Sequence, residues 1–348
     1  MTEIHHSKPW ITDGDRRAVR NVLESGMLAQ GANVTRFEQE VASYHGCLDA
    51  IAAASGTAAL MVGLDLLGVK PGSEIIVPTY ACDAIRHAVQ AVGATPVPCD
   101  TGPHTWNVTS DSVAARVSEK TAAVIVVHTF GIPADVSAIG RLGVPVIEDC
   151  AQAFGTRIGT GTAGSAGDIG VYSFNATKCL TTGEGGMLVT GKPEMADRFR
   201  ALRREPKKHG HRMSDMQAAL GLSQLERYAD FLRRRRGIAD LYFSRLPPDL
   251  IGRLNRCRQG NIFFRFPVFG DIDFPAVRQV MAERGIHVRS GVDALIHRPM
   301  GLHDDDFPNA MAAFVGTCCI PIYPALTDGE IEAIIAAFDH IAGRCGPC

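Results

Sequence analysis

The sequence lacks a surplus of either charge. Its 348 residues include 35 Lys and Arg against 37 Asp and Glu, which gives a net charge of −2 at pH 7. A chain so nearly neutral has no general attraction for nucleic acid or for an anionic membrane surface. We therefore expect its partners to be small-molecule substrates that are recognised locally.

Two further absences concern location. No signal-peptide pattern opens the sequence, and no apolar run is long enough to span a bilayer. We expect a cytoplasmic protein that does not insert into membranes. With 46% apolar residues the chain can still bury a large core, and its length suits two domains of ordinary size.

The spacings that mark metal and dinucleotide sites are also missing. Among ten cysteines the one CxxC pair is Cys345 and Cys348, alone at the end of the chain. A zinc site needs further ligands at a matching spacing, so we interpret the cysteines mainly as small core residues and expect no metal. No GxGxxG opens a βαβ unit with an acid about 20 residues later, which argues against a Rossmann dehydrogenase.

Lysine is scarce, and one lysine stands apart from the rest. Six of the seven lysines lie beside proline, glycine, charged or hydroxyl residues in polar segments. Lys178 instead follows the apolar run Ile169 to Phe174 and precedes a glycine cluster and a second apolar run. A lysine between two strands loses hydration, which favours the neutral amine that attacks carbonyls. The alternative is a lysine whose stem crosses the loop and whose ammonium reaches water.

Alternating strands and helices predict the fold class. From Ser73 to about Gly155 short apolar runs such as EIIVP and AAVIVV alternate with helical patterns, which is typical of a largely parallel sheet with helices on both faces. Capping boxes at Thr35–Glu38 and Ser214–Gln217 predict two helix starts, the second opening one long helix that ends before Pro247. The last hundred residues have α+β character.

Two short motifs add polar groups at strand ends. Ser55-Gly56-Thr57 lies between a short strand and a helix, an arrangement whose free N–H groups can bind an anion. Many such turns only pack tightly. Asp149 directly follows the strand Val144 to Ile147, and its carboxylate could cap a helix or hold a heterocyclic cation. Ligands of such sheets bind at the carboxyl ends of the strands.

One cofactor would use all of these groups. Pyridoxal 5′-phosphate has an aldehyde for Lys178, a ring nitrogen for Asp149, and a phosphate for the SGT turn and for Ser173. The sequence therefore predicts a site for this cofactor.

Five motifs in order resemble those of the DegT family of sugar aminotransferases, within fold type I of the pyridoxal-phosphate enzymes. They are SGTAAL, EIIVPTYACDAI, EDCAQAFG, GDIGVYSFNATKCLTTGEGGMLVT and HRMSDMQAALGLSQLE. The resemblance covers about Glu24 to Glu226, and CCIPIYPALTDGEIEAII is similar to the family's closing segment. It implies a large domain, residues 1–246, with a mainly parallel seven-stranded sheet flanked by helices, and a smaller α+β domain, residues 247–348.

The resemblance also implies roles for individual residues. Lys178 would form the Schiff base with the cofactor and shuttle a proton, and Asp149 would pair with the ring N–H⁺. Gln152 would contact the phenolic oxygen of the ring or its neighbour, and Tyr80 would stack on the ring, although as a lone residue it would more often be core. The phosphate would be held by Gly56, Thr57 and Ser173.

Family members work as homodimers with both sites at the interface, so the resemblance implies a homodimer here. The family's asparagine two places before the arginine of its RM motif is replaced by Gly210. Either His209 or His211 substitutes for the contact that this asparagine makes across the dimer, or the loop is rebuilt. The segment from Pro299 to Pro308 departs from the family as well, which leaves the substrate's identity open.

The implied activity is a transamination in two half-reactions, from glutamate to a keto-sugar bound to a nucleotide. A cyclitol or another cyclic ketone is an alternative acceptor. A sugar dehydratase of the same family would have histidine where this chain has Lys178, and a non-catalytic protein would be free to lose Lys178, Asp149, Gln152 and Ser173.

Overall fold

The computed structural model describes residues 3–205 and 210–342 of the protein. Of the predictions above, those that involve His209, Cys345 and Cys348 lie outside the described residues.

The strands are numbered in chain order. They are β1 (Asp49–Ala53), β2 (Glu74–Pro78), β3 (Thr95–Cys99), β4 (Thr121–Val127), β5 (Val146–Asp149), β6 (Arg157–Ile158), β7 (Gly161–Thr162), β8 (Ile169–Ser173), β9 (Gly186–Thr190), β10 (Phe266–Phe269), β11 (Arg289–Ser290) and β12 (Thr317–Ile320).

The α-helices are numbered in the same way. They are α1 (Asp13–Ser25), α2 (Ala32–His45), α3 (Gly56–Leu66), α4 (Ala84–Ala91), α5 (Ser110–Ala114), α6 (Val136–Gly140), α7 (Pro193–Arg204), α8 (Asp215–Glu226), α9 (Tyr228–Arg245), α10 (Pro248–Asn255), α11 (Phe274–Ala282), α12 (Pro308–Gly316) and α13 (Asp328–Ala342). Short 3₁₀ helices cover Thr129–Gly131, Arg298–Met300 and Asp304–Asp306.

A seven-stranded sheet forms the centre, with strand order β1-β9-β8-β5-β4-β2-β3. Strands β8, β5, β4, β2 and β3 pair in parallel, whereas β9 is antiparallel to both of its neighbours. The predicted α/β fold with a mainly parallel seven-stranded sheet is therefore confirmed. Because β5 and β8 pair in parallel, with Asp149 opposite Val171, the polar residues at their carboxyl ends meet at one edge of the sheet.

Successive strand residues point into separate cores on the two faces of the sheet. Ile51 and Ala53 of β1 pack in a cluster with α3 and α4, whereas Ala50 and Ala52 pack in a cluster with α2 and α8. Both faces are thus covered by helices, which explains the continuous apolar runs of these strands.

A smaller three-stranded antiparallel sheet, in the order β10-β12-β11, lies in the C-terminal part of the chain. Its core includes Phe266, Cys318 and Ile335, and also Ile238 and Tyr242 of α9 and Ile4. The division of the chain at residues 246 and 247 stays a prediction.

Two expectations about helices were wrong. Thr35 and Glu38 do not open a helix, because α2 already begins at Ala32; the Glu38 carboxylate instead accepts a hydrogen bond from the Ala52 N–H of β1 at 2.8 Å. Ser214 and Gln217 do form a capping box, but the long helix predicted after them is two helices, which meet at Arg227.

Candidate active site

The SGT turn forms the start of helix α3. Ser55 is the N-cap residue, and its hydroxyl accepts a hydrogen bond from the Ala58 N–H at 3.1 Å. Gly56 and Thr57 follow in the first turn, where backbone N–H groups have no acceptor within the helix. These donors and the helix dipole favour an anion at this position.

Ser173 lies directly against this helix start. A Cβ added to Gly56 would come within 2.8 Å of the Ser173 Cβ, so the approach of α3 to β8 requires glycine. Gly186 faces the same turn, and a Cβ there would overlap the backbone of Ser55. The structure therefore brings Gly56, Thr57 and Ser173 together, as the sequence predicted, in a group that can surround a phosphate.

Lys178 lies in the tight loop between β8 and β9. Its N–H donates to the Asn175 carbonyl at 2.9 Å, and its Nζ lies over the Phe264 ring, 5.2 Å from the ring centre. Although the side chain as a whole is only half-buried, desolvation is the largest influence on the amine and lowers its pKa. Asp149 opposes this change and Arg265 adds to it. The neutral amine is therefore more abundant than in an ordinary lysine.

Asp149 is the last residue of β5, and only 7% of it is exposed. Its Oδ1 accepts a hydrogen bond from the Ala151 N–H at 2.9 Å. Burial raises the pKa of this carboxyl, against the opposing influence of that hydrogen bond, of Lys178 and of His128. The structure thus brings Asp149 and Lys178 into electrostatic contact, each displaced from its ordinary pKa by burial.

Gln152 lies in the turn that follows β5. Its side-chain oxygen accepts a hydrogen bond from the Phe130 N–H at 2.8 Å, and Phe130 has the unusual φ of 60°. A non-glycine residue in this backbone region is strained unless its surroundings hold it there. The Gln152 side chain is therefore already fixed to the turn after β4 by its oxygen.

Tyr80 packs against Phe130, the residue whose N–H binds Gln152. Its side chain is fully buried and packs edge-on against Phe130, with 6.3 Å between ring centres. Its hydroxyl is buried and lies under Gly291. Cys82, two residues later, is exposed and lies close enough to influence the pKa of Lys178. The sequence could not distinguish these two positions, because nothing in the PTYAC motif shows which of its side chains faces Lys178.

Glu148 is a site residue that sequence reasoning missed. It is fully buried, pairs with Nε2 of His128 at 2.9 Å, and accepts hydrogen bonds from the N–H groups of Gly164, Ala166 and Gly167. Burial alone would raise its pKa, but the His128 contact and the backbone donors bring the pKa below its ordinary value. This paired carboxylate fixes the end of β5, and hence the backbone of Asp149.

Phe264 and Arg265 were also missed. Both residues directly precede β10 of the smaller sheet. The Lys178 Nζ lies over the Phe264 ring, and the Arg265 guanidinium lies near the same ring. The available signal was a lone arginine inside the apolar run NIFFRFPVF. Nothing in that run shows that it lies against a lysine 87 positions earlier.

The segment around Gly210 is partly described. The His211 carbonyl accepts a hydrogen bond from the Ala54 N–H at 3.0 Å, so this segment borders the SGT turn. Gly210 adopts a φ of +61°. Whether the side chain of His211 replaces the family's asparagine stays a prediction.

Comparison with known proteins gives consistent matches. The model of the DegT/DnrJ/EryC1/StrS aminotransferase family matches residues 9–339. The chain is 31% identical to dTDP-4-dehydro-2,3,6-trideoxy-D-glucose 4-aminotransferase of Saccharopolyspora spinosa, over 99% of each protein.

Two solved structures are similar over nearly their whole length. The aminotransferase TlmJ of Streptoalloteichus hindustanus has a TM-score of 0.88 at 31% identity, over 98% of this chain and 99% of that one. The PLP form of Spr1654 from Streptococcus pneumoniae has a TM-score of 0.88 at 25% identity, over 99% of each chain.

The chemistry of the site fits the same cofactor. A desolvated lysine suits its aldehyde, a buried carboxyl suits its ring nitrogen, and the start of α3 beside Ser173 suits its phosphate. The motifs, the fold, the site and the family match thus agree. The chain belongs to the DegT/DnrJ/EryC1/StrS aminotransferase family and is a pyridoxal-phosphate-dependent aminotransferase.

Proposed function

We propose that this aminotransferase takes an amino group from glutamate and gives it to the keto group of a nucleotide-linked deoxysugar. The observation that carries the proposal is the Lys178 amine beside the buried Asp149 carboxyl, at the strand ends that also hold the start of α3. The relative from Saccharopolyspora spinosa, whose substrate is a dTDP-linked keto-deoxysugar, supports the choice of acceptor.

Lys178 is proposed as the catalytic residue. Pyridoxal phosphate supplies an aldehyde for the amine and a ring that accepts electron density from the substrate carbon. Because burial lowers the pKa of Lys178, its Nζ is ready to act as a nucleophile and then to accept and return a proton. The same amine serves both half-reactions, so glutamate and the sugar react in turn and ping-pong kinetics follow.

The remaining candidates are proposed to hold the cofactor. The Asp149 carboxylate pairs with the ring nitrogen, and this charge-assisted contact keeps the nitrogen protonated. Gly56, Thr57 and Ser173 bind the phosphate through backbone and hydroxyl groups. Gln152 contacts the ring's oxygen side through the end of its amide that Phe130 does not use. For Tyr80 we propose support of the pocket through Phe130 rather than direct stacking.

Assembly and location belong to the same proposal. A homodimer is supported by an exposed apolar segment between α1 and α2, in which Met27 is 73% and Leu28 41% exposed.

A cytoplasmic location is supported by the eight cysteines of the described residues, which are all free. Within the described residues, no helix combines the length and apolar character needed to cross a bilayer.

The first test concerns Lys178. We expect the purified protein with its cofactor to be yellow and Lys178→Ala to lose the visible absorption band of the Schiff base. Lys192→Ala, at an exposed lysine before α7, is the matched control and keeps the band. An unchanged band in Lys178→Ala contradicts the assignment of the lysine.

The second test separates the reaction types. Glutamate added without any sugar should convert the bound cofactor to its amine form, with loss of the visible band and release of 2-oxoglutarate. A dehydratase or a non-catalytic protein gives no such change with any amino acid. Candidate nucleotide-linked keto-sugars and cyclitol ketones, added next, should restore the band only where the acceptor is correct.

A further inference from the structure

Arg265 and Lys178 both lie near the ring of Phe264. The Arg265 guanidinium carbon lies 5.7 Å from the centre of the Phe264 ring, and the Lys178 Nζ lies 5.2 Å from it. The two cations are also close enough for Arg265 to lower the pKa of Lys178. A second positive group therefore lies near the Lys178 amine.

Arg265 is held in position by backbone carbonyls and lies against the Cys319 thiol. Its Nη1 donates to Gly291 at 2.7 Å and to Ser290 at 3.2 Å. Its Nε is buried and has no hydrogen-bond partner among residues 3–205 and 210–342, and no acidic side chain in those ranges forms an ion pair with it. Elsewhere Arg227 and Arg203 are paired with carboxylates, at 2.6 and 2.7 Å.

The surroundings of Arg265 increase the positive potential. The pKa of His6 is lowered to about 3, first by burial and then by repulsion from Arg265, Arg289 and Arg235. Arg235 is only 4% exposed, and its Nη1 donates to the carbonyls of Phe263, Phe264 and Ile322. Burying cations without a counter-ion costs free energy, so an anion from outside the chain would find a favourable site here.

The backbone before Arg265 is constrained. Phe263 adopts a φ of 53°, and its N–H donates to the Asn261 side chain at 2.7 Å while its carbonyl binds Arg235. Such strain persists only where the surroundings hold it, and it is common at ligand sites. The constraint keeps Phe264 and Arg265 beside Lys178 before any ligand arrives.

We propose that Arg265 binds the α-carboxylate of the amino donor. This inference rests on the proposed transamination. In an amino acid only one carbon separates the amine from the carboxylate, so a donor whose nitrogen reacts at Lys178 must place its carboxylate on a neighbouring cation. A sugar ring separates the diphosphate of a nucleotide sugar from its reacting carbon by several bonds, which makes the diphosphate a poorer fit. The planar guanidinium matches a carboxylate through paired hydrogen bonds.

Two small reagents that differ in a carboxylate test the proposal without turnover. Aminooxyacetate and methoxyamine both displace the Lys178 amine from the cofactor in the reconstituted protein, and the loss of the visible band gives a rate constant for each. The native protein should strongly prefer aminooxyacetate. In Arg265→Gln the preference should fall by roughly 10- to 100-fold, as expected for removal of a charge-assisted hydrogen-bonded pair.

Controls separate binding from folding. Arg265→Lys keeps the positive charge but loses the planar guanidinium with its paired N–H donors. We therefore expect a preference for aminooxyacetate between those of the native protein and of Arg265→Gln. Arg278→Gln, at an exposed arginine of α11, should leave the preference unchanged. A merely structural effect of Arg265→Gln would slow both reagents equally and leave their ratio intact, which overturns the proposal.

Kinetics with the natural donor distinguish the remaining outcomes. The assignment holds if the native protein reacts with glutamate and if Arg265→Gln raises the KM for glutamate while the KM for the nucleotide sugar stays unchanged. Loss of affinity for the nucleotide sugar alone assigns Arg265 to the diphosphate and overturns it. Failure of the native protein to react with glutamate contradicts the proposed function itself.

Discussion

Asp149 and Lys178 show how single residues of the site are held in costly states. Burial lowers the pKa of the lysine and raises the pKa of the carboxyl, so each group resists the charge that it would carry in water. The protein without cofactor bears this cost, and pairing with the cofactor's own charges offsets it. Functional residues of this kind reduce stability in return for activity.

Asp149→Asn should therefore stabilise the cofactor-free protein while abolishing turnover. Because the pKa of Asp149 in the fold lies above 3.8, the folded state holds its proton more tightly than the unfolded state, and stability falls as pH rises through that raised value. We expect the variant's gain in stability to be absent at pH values well below the ordinary pKa of an aspartate and to grow as pH rises toward the raised pKa of Asp149. Denaturant unfolding at several pH values measures it.

The asparagine keeps the acceptor for the Ala151 N–H, so the local turn should survive the change. Its amide cannot stabilise a protonated ring nitrogen, and turnover should drop at least 100-fold, in line with the loss of about 2.7 kcal/mol of electrostatic stabilisation. An Asp149→Asn protein that is less stable at pH 8, or one that keeps full activity, would contradict this account.

At the scale of elements, Asp215 joins the starts of two helices. It begins α8, and its carboxylate accepts hydrogen bonds from the N–H groups of Gly31, Asn33 and Val34 at 2.8 to 3.2 Å. The start of α2 is thus capped by a residue more than 180 positions later. Three backbone donors, those of the N-cap residue Gly31 and of two residues in the first turn of α2, depend on this one side chain.

Asp215→Ala should lower the free energy of unfolding by about 2 to 3 kcal/mol, because one buried and two partly buried hydrogen bonds to backbone donors are lost. Asp249→Ala, at an exposed acid in the first turn of α10, is the matched control and should change stability by less than about 0.5 kcal/mol. Urea unfolding of both variants measures the difference. Equal small effects would show that α2 does not depend on the Asp215 cap.

At the scale of the whole molecule, the segment between α1 and α2 should contribute to the dimer. It carries exposed Met27 and Leu28 next to α2, which packs on the central sheet. Met27→Glu combined with Leu28→Glu should shift the protein toward the monomer in sedimentation equilibrium, because burying two carboxylates in an interface is unfavourable. Leu48→Glu, at another exposed apolar residue, is the control and should remain dimeric.

The same change should weaken retention of the cofactor if each site is completed at the interface. Dialysis followed by the visible absorption spectrum measures the cofactor that remains bound. A double variant that stays dimeric would show that another surface joins the subunits. A native protein that sediments as a monomer would contradict the dimer altogether.

The sequence by itself determined the parts of this protein that depend on neighbours in the chain. The strand, turn and helix around Gly56, the loop that carries Lys178 and the strand that ends at Asp149 were all predictable, because propensity, capping and apolar periodicity act over a few residues. The five motifs in order were sufficient for the family as well.

Only the tertiary structure decided which distant groups meet. It capped α2 with Asp215, buried Tyr80 against Phe130 while leaving Cys82 exposed, and set Arg265 beside Lys178. Local sequence carries no information about such contacts, since they join residues that are far apart in the chain and depend on how whole elements pack. The electrostatics of the site arise from that packing, because burial and neighbouring charges shift the pKa values of Lys178 and Asp149.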